Sequence, residues 1–131
     1  MFRLDNKIAA VTGGGSGIGK AVARLLATQG AFVNIIDLSA ENAQQTLTEI
    51  EQAGGKGQAH ACDVSRQQDV KAIFDNIRQL DLLANSAGIA HVGTVVTTDE
   101  QTYQRLFDVN GKGVYNCLHC AIPLMKSGSA I

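Results

Sequence analysis

The hydrophobic positions of this chain form short unbroken runs, separated by longer stretches in which they recur every three or four residues. Lys7 to Val11 is the first run, apolar and followed at once by glycines, which reads as a buried strand. The sequence then turns helix-forming from about Gly17 through Ala21-Val22-Ala23-Arg24-Leu25-Leu26-Ala27 and stops at Gly30, a C-terminal cap. Ala31 to Asp37 is a second apolar strand ending in an acid. Ser39 caps a helix over roughly Glu41 to Ala53, with Leu47 and Ile50 on its inner face and Gly54-Gly55 as its stop. Gly57 to Val64 is a third strand, and Ser65 is expected to cap a helix through Val70, Ile73, Phe74 and Ile77. Leu80 to Asn85 is a fourth strand. A polar loop from His91 to Thr98 leads to a long helical stretch, Asp99 to Met125. Gly111 and Gly113 each cost about 1 kcal/mol there relative to alanine, so a kink is expected near Asn110. Pro123 and then Ser127-Gly128-Ser129 are expected to close that helix, and Ala130-Ile131 to open a fifth strand.

Strand and helix thus alternate four times. Continuous apolar strands imply a sheet covered on both faces, and right-handed crossovers then give a doubly wound parallel α/β sheet. The expectation is one domain over residues 1–131, with four strands plus the start of a fifth, cut off in that fifth strand. Hydrophobic residues make up 45% of the chain and charged residues 18%, enough apolar material for a buried core. The net charge of −1 and the lack of a basic run argue against nucleic-acid or membrane-surface partners. Neither a signal-peptide core nor an apolar run of roughly 20 residues is present, and three cysteines are an odd number. A cytoplasmic protein with free thiols is expected.

The chemistry starts at Thr12-Gly13-Gly14-Gly15-Ser16-Gly17-Ile18-Gly19-Lys20, between a strand and a helix. Glycines let backbone N–H groups approach an anion, and the helix start adds its positive dipole end. Gly14 to Lys20 also satisfies G-x-x-x-x-G-K, but Ala21 follows where a Mg²⁺-binding hydroxyl is needed, which disfavours an NTP-binding loop. Asp37, at the end of the next strand and near the required 20-residue offset, favours a dinucleotide, its carboxylate accepting ribose hydroxyls. That carboxylate would repel a 2′-phosphate, and Leu38 rather than an arginine follows it, so NAD(H) is expected over NADP(H). Asp63 and Asn85 end the third and fourth strands on the same sheet edge. Asp63 could bond an adenine amino group, and Ala87 and Gly88 could let a cofactor pass over the backbone; turn chemistry is the plainer reading of each alone.

Thr12-Gly13-x-x-x-Gly17-Ile18-Gly19, Asp37, Asp63-Val64, Asn85-Ser86-Ala87-Gly88 and Val109-Asn110, in this order and spacing, resemble the short-chain dehydrogenase/reductase family across essentially the whole chain. The resemblance implies a Rossmann-type fold and NAD(P)-dependent hydride transfer between alcohols and carbonyls. It implies that Gly13, Ser16, Gly17, Ile18 and Gly19 cradle the pyrophosphate, that Asp37 with Leu38 beside it holds the ribose, and that Asp63 and Val64 frame the adenine. Asn85, Ala87 and Gly88 would line the cofactor, and Asn110 would support a water in the family's proton relay. No metal is implied. Dimers and tetramers are common in the family, with Asp99–Met125 the kind of surface that builds them.

Three features depart from the pattern. Ser86 stands where the family carries a second asparagine. The stretch from Asp69 to Asp81 is about one helical turn shorter than in typical members. The family's serine and Tyr-x-x-x-Lys do not occur in these 131 residues: Tyr103 is followed four positions later by Phe107, and Tyr115 by His119. The expectation is a cofactor-binding part of an oxidoreductase acting on a small alcohol or ketone, inefficient alone; the alternative is a non-catalytic dinucleotide-binding or regulatory module. Tyr115 with His119, and Cys117-x-x-Cys120, are read as packing rather than as an acid/base pair or a redox or metal site. His60 and His91 stand without companions.

Overall fold

The computed structural model describes residues 2–131. The first strand, β1 (Ile8–Thr12), leads to helix α1 (Gly17–Thr28), and β2 (Phe32–Asp37) to α2 (Ala40–Gln52). Next come β3 (Lys56–Ala61), α3 (Gln67–Phe74) and β4 (Leu80–Asn85). Helices α4 (Glu100–Phe107) and α5 (Gly113–Ala121) follow, then β5 (Met125–Ala130). All strand pairs are parallel, in the order β3-β2-β1-β4-β5. The doubly wound sheet is therefore present, with five strands among the described residues.

Alternation along the strands divides the core. Ala9 and Val11 of β1 join Val33 and Ile35 of β2 against Ala23 and Ala27 of α1 and Ala43, Leu47 and Ile50 of α2. Ala10, Ile36 and Leu83 face the other way, onto Val70 and Phe74 of α3 and Cys117 and Ala121 of α5. Every residue of β1 from Ala9 to Val11 is fully buried, as a central strand covered on both faces must be.

Several boundaries differ from the sequence expectation. Ser65 does not cap α3; Arg66 occupies that position, and the Ser65 hydroxyl donates to Asp63 instead. The carboxylate competes for Ser65 two residues on, as turn-forming acids do. Ile77 lies beyond the helix, its N–H bonded to the Phe74 carbonyl. The third strand ends at Ala61 and is a half-exposed edge strand, so Cys62, Asp63 and Val64 lie past it. The long helix opens at Glu100 with Asp99 as its cap, Asp99 Oδ1 accepting from the Thr102 N–H at 2.7 Å. Its expected interruption is a π-helical turn over Asp108–Lys112, and Pro123 sits in a 3-10 turn, Ile122–Leu124. Ser127-Gly128-Ser129 does not close a helix but lies within β5. Pairing of Met125 with Leu80 and of Ala130 with Leu82 overrides the turn-like composition, with an irregular register between and Gly128 at φ +93°.

Phe74 is 2% exposed and is among the largest fully enclosed side chains. Phe74→Ala is expected to cost about 3–5 kcal/mol in urea unfolding. Gln45→Ala, on the exposed face of α2, should stay within about 0.5 kcal/mol. Equal effects would contradict this description of the core.

Candidate functional site

The turns after β1 and β4 meet at the carboxyl edge of the sheet. The strand order reverses here: β2 lies on one side of β1 and β4 on the other. The buried Thr12 hydroxyl oxygen accepts the N–H groups of Ser86 and Ala87, each at 3.1 Å. Gly13 sits at φ +65°, and a Cβ there would come within 2.8 Å of the Ser86 carbonyl oxygen. A Cβ on Gly19 would overlap the Gly13 carbonyl. The glycine turn thus folds tightly on itself and against the β4 turn, a packing only glycine permits at these two positions.

A cavity of about 360 Å³ opens along this edge. Gly13, Ser16, Gly17, Ile18 and Gly19 form one wall. Ser16 is the N-cap residue of α1, yet its side chain makes no capping bond, and the first turn of the helix holds no acid. The first-turn N–H groups have no intrahelical partner, and their dipole end is uncompensated. Asp37 and Leu38 line the next part. Asp37 Oδ2 accepts from the Gly15 N–H and Oδ1 from the Ser39 N–H, both at 2.9 Å. The carboxylate therefore fixes the glycine turn to the start of α2, where Ser39 caps as expected by accepting the Asn42 N–H. Two of its roughly four acceptor positions are used.

Asp63 and Val64 follow on the wall, with Ala87 and Gly88 from the β4 turn. Asp63 Oδ1 accepts from the Ser65 N–H at 3.0 Å and the Ser65 hydroxyl at 2.6 Å, and Oδ2 accepts from Arg105 Nη1 at 3.3 Å. Burial pushes this carboxyl up, but the Ser65 bonds and the Arg105 charge outweigh it and hold the group below its ordinary value. Its stabilising contribution is present above the ordinary carboxylate range and is lost as pH falls through the depressed value. Asn116, fully buried on α5, donates to the Val64 carbonyl at 2.8 Å and accepts from Gln67, holding this turn from behind.

Two expected residues stand off the wall. Asn85 ends β4 beside Thr12, and its side-chain oxygen is buried without a hydrogen-bond partner. Asn110, in the π-helical turn, accepts from the Ile89 N–H and donates to the Ile89 carbonyl, each at 2.9 Å. Two residues that pattern reading did not single out take part, Arg105 on the wall and Asn116 behind it, and Val109 of the Val109-Asn110 motif lines the wall as well. Of the two missed residues, only Arg105 carried a sequence sign, standing four positions before the motif residue Val109.

Two of the three cysteines are core residues. Cys117 and Cys62 are buried, and burial pushes their thiols up to about 12 and about 11, so both stay protonated. Tyr115 and His119 lie on the exposed face of α5, their ring centroids 5.7 Å apart and their planes tilted by 33°. Among the described residues, no cluster of His, Cys, Asp or Glu could hold a metal ion, and no helix is long and apolar enough to cross a membrane.

A doubly wound parallel sheet with a glycine turn and an acid-ended second strand at its switch point defines an α/β protein of the dinucleotide-binding kind. The family model described as short chain dehydrogenase matches residues 7–131. The chain is 38% identical to a cyclohexanol dehydrogenase of Acinetobacter sp. (strain SE19), over 98% of this chain and 54% of that protein. It is also 38% identical to a 3beta-hydroxysteroid dehydrogenase of Mediterraneibacter gnavus, over all of this chain and 50% of that protein. The crystal structure of a dehydrogenase/reductase from Sinorhizobium meliloti 1021 superimposes with a TM-score of 0.92 at 33% identity, covering 97% of this chain and 52% of that one. The chain belongs to the short-chain dehydrogenase/reductase family of oxidoreductases, and it spans about half the length of the curated relatives it matches.

Thr12→Val keeps the shape but leaves the Ser86 and Ala87 N–H groups unpaired. It is expected to lower unfolding stability by about 1–3 kcal/mol, while Thr12→Ser retains most of it. Equal stabilities for the valine and serine variants would show that the two bonds do not hold the turns together.

Proposed function

We propose that residues 1–131 form one dinucleotide-binding domain for NAD(H), and that the protein moves hydride between a small-molecule alcohol and the matching carbonyl compound. The observation that carries this reading is the shared wall: unpaired first-turn N–H groups, an unengaged Ser16 side chain and a half-used Asp37 carboxylate face one cavity. That donor and acceptor set fits a dinucleotide. Gly13, Ser16, Gly17, Ile18 and Gly19 would hold the pyrophosphate, and Asp37, with exposed Leu38 beside it, the adenosine ribose. Asp63 and Val64 would frame the adenine. Ala87 and Gly88 line the edge between them, and Asn85 would stand behind it at the end of β4, beside Thr12.

When bound, the nicotinamide supplies or accepts the hydride. The residues of this chain orient that group and shape the edge it lies on. Asn110 has a positioning role: its carboxamide holds the Ile89 backbone where the β4 turn leaves the cavity. The charges favour NAD(H) over NADP(H). Lys20 and Arg24 both pair with Glu49, and Arg105, the cation on the wall among the described residues, faces Asp63. Exposed Tyr103, Phe107, Tyr115 and Ile122 support self-association through this α4–α5 surface as a dimer or tetramer.

Fluorescence titration of the purified protein with NADH and NADPH is expected to show NADH bound at least about tenfold more tightly, a difference near 1.4 kcal/mol. In Asp37→Ala the gap should fall below about threefold. Tighter NADPH binding would overturn the cofactor choice, and no binding of either cofactor at millimolar concentration would overturn the site.

A further inference from the structure

Arg105 on the cavity wall does more than set a charge opposite Asp63. Arg105 belongs to α4, a helix with no buried residue, and reaches across to the turn after β3. A single nitrogen, Nη1, donates to Asp63 Oδ2 at 3.3 Å and to Ser65 Oγ at 3.2 Å. The Ser65 hydroxyl has one proton and gives it to Asp63 Oδ1 at 2.6 Å. Accepting the arginine N–H leaves that proton free for the carboxylate, so the three side chains form a closed ring with one consistent set of donors.

The ring fixes what Asp63 can still accept. Oδ1 already receives the Ser65 N–H and hydroxyl, and Oδ2 receives Arg105. Of about four lone-pair positions on a carboxylate, one remains, on Oδ2. Arg105 and Val109, one helical turn apart, line the same cavity as Asp63 and Val64. The pair is only partly exposed, at 42% for the Arg105 and 22% for the Asp63 side chain, and its single long contact at 3.3 Å gives stability alone little account of this arrangement.

We propose that Arg105 is a positioning residue for the base of the dinucleotide: by fixing the Asp63 carboxylate it leaves one open acceptor, which selects a purine with a 6-amino donor over one with a 6-oxo acceptor. This rests on the NAD(H) reading of the same site. A 6-oxo group placed there sets two acceptors against each other and leaves the carboxylate position unpaired, the kind of mismatch that sites built around a hydrogen bond reject. Without the guanidinium, Asp63 keeps only the two Ser65 bonds on Oδ1, and Oδ2, which carries the open acceptor position, loses the one bond that fixes where it points.

The test compares NADH with reduced nicotinamide hypoxanthine dinucleotide by fluorescence titration of the purified protein. Wild type is expected to prefer NADH by about tenfold, and Arg105→Ala by less than about threefold. Arg105→Lys, whose ammonium can replace the single bridging nitrogen, should keep the preference above about fivefold. Circular dichroism melts establish that both variants are folded, and a merely structural role would weaken both ligands in parallel without moving the ratio. An unchanged ratio in Arg105→Ala, a parallel loss for both dinucleotides, or a wild type that binds NADH without preferring it would overturn the proposal. A wild type that binds no NADH would remove the cofactor reading itself, a distinguishable result.

Discussion

The Thr12 hydroxyl, accepting two backbone N–H groups from the turn after β4, sits where the sheet changes direction. Successive units to one side of β1 carry the chain away through β2 and β3, and β4 then returns to the other side. The turns after β1 and β4 therefore head apart, and a crevice opens between the elements that follow them. The threonine holds the two turns in contact at the base of that crevice. Gly13 makes the contact possible, since any Cβ would meet the Ser86 carbonyl. The cavity, the exposed helix start and the convergence of Asp37, Asp63 and Gly88 on one edge all depend on this junction.

The two faces of the sheet support the edge in different ways. On one face, alanines of α1 and α2 pack closely on Val11, Val33 and Ile35 and set the start of α1 beside the glycine turn. Asp37 then bonds the turn to the start of α2. On the other face, α5 approaches the Asp63-Val64 turn so closely that a Cβ on Gly113 would come within 2.7 Å of a Val64 methyl. Asn116 holds the Val64 carbonyl from the same helix. The π-helical turn between α4 and α5 puts Val109 into the core and turns Asn110 to the Ile89 backbone. Each acid at the edge is thus held by its own neighbours before any ligand arrives, which lowers the ordering cost of binding.

Much of this was legible in the sequence because it rests on local pattern. The buried runs of β1, β2 and β4, the glycine turn and the Ser39 cap follow from residue type and spacing alone. What was not legible came from contacts distant in sequence. Ser127-Gly128-Ser129 has turn composition, yet β4 offers an edge to pair with and the segment becomes strand. Ser65 has cap chemistry, yet the Asp63 carboxylate and Arg105, 40 residues on, claim its hydroxyl. Asn116 reads as an ordinary polar helix residue, and only the fold shows that it faces an otherwise bare carbonyl. Asn85 was expected to line the edge and Asn110 to support a water; the fold sets the first beside Thr12 and bonds the second to the Ile89 backbone.

The central claim is that this junction presents one dinucleotide-binding edge. Amide hydrogen exchange of the purified protein with and without saturating NADH tests it directly, since exchange reports local protection along the whole chain. The account predicts slowed exchange at Gly13–Gly19, Asp37–Ser39, Asp63–Ser65 and Ser86–Gly88, with the opposite edge near Gly30 and Gly54 unchanged. Protection confined to that opposite edge, or absent at the glycine turn under saturation, would contradict it.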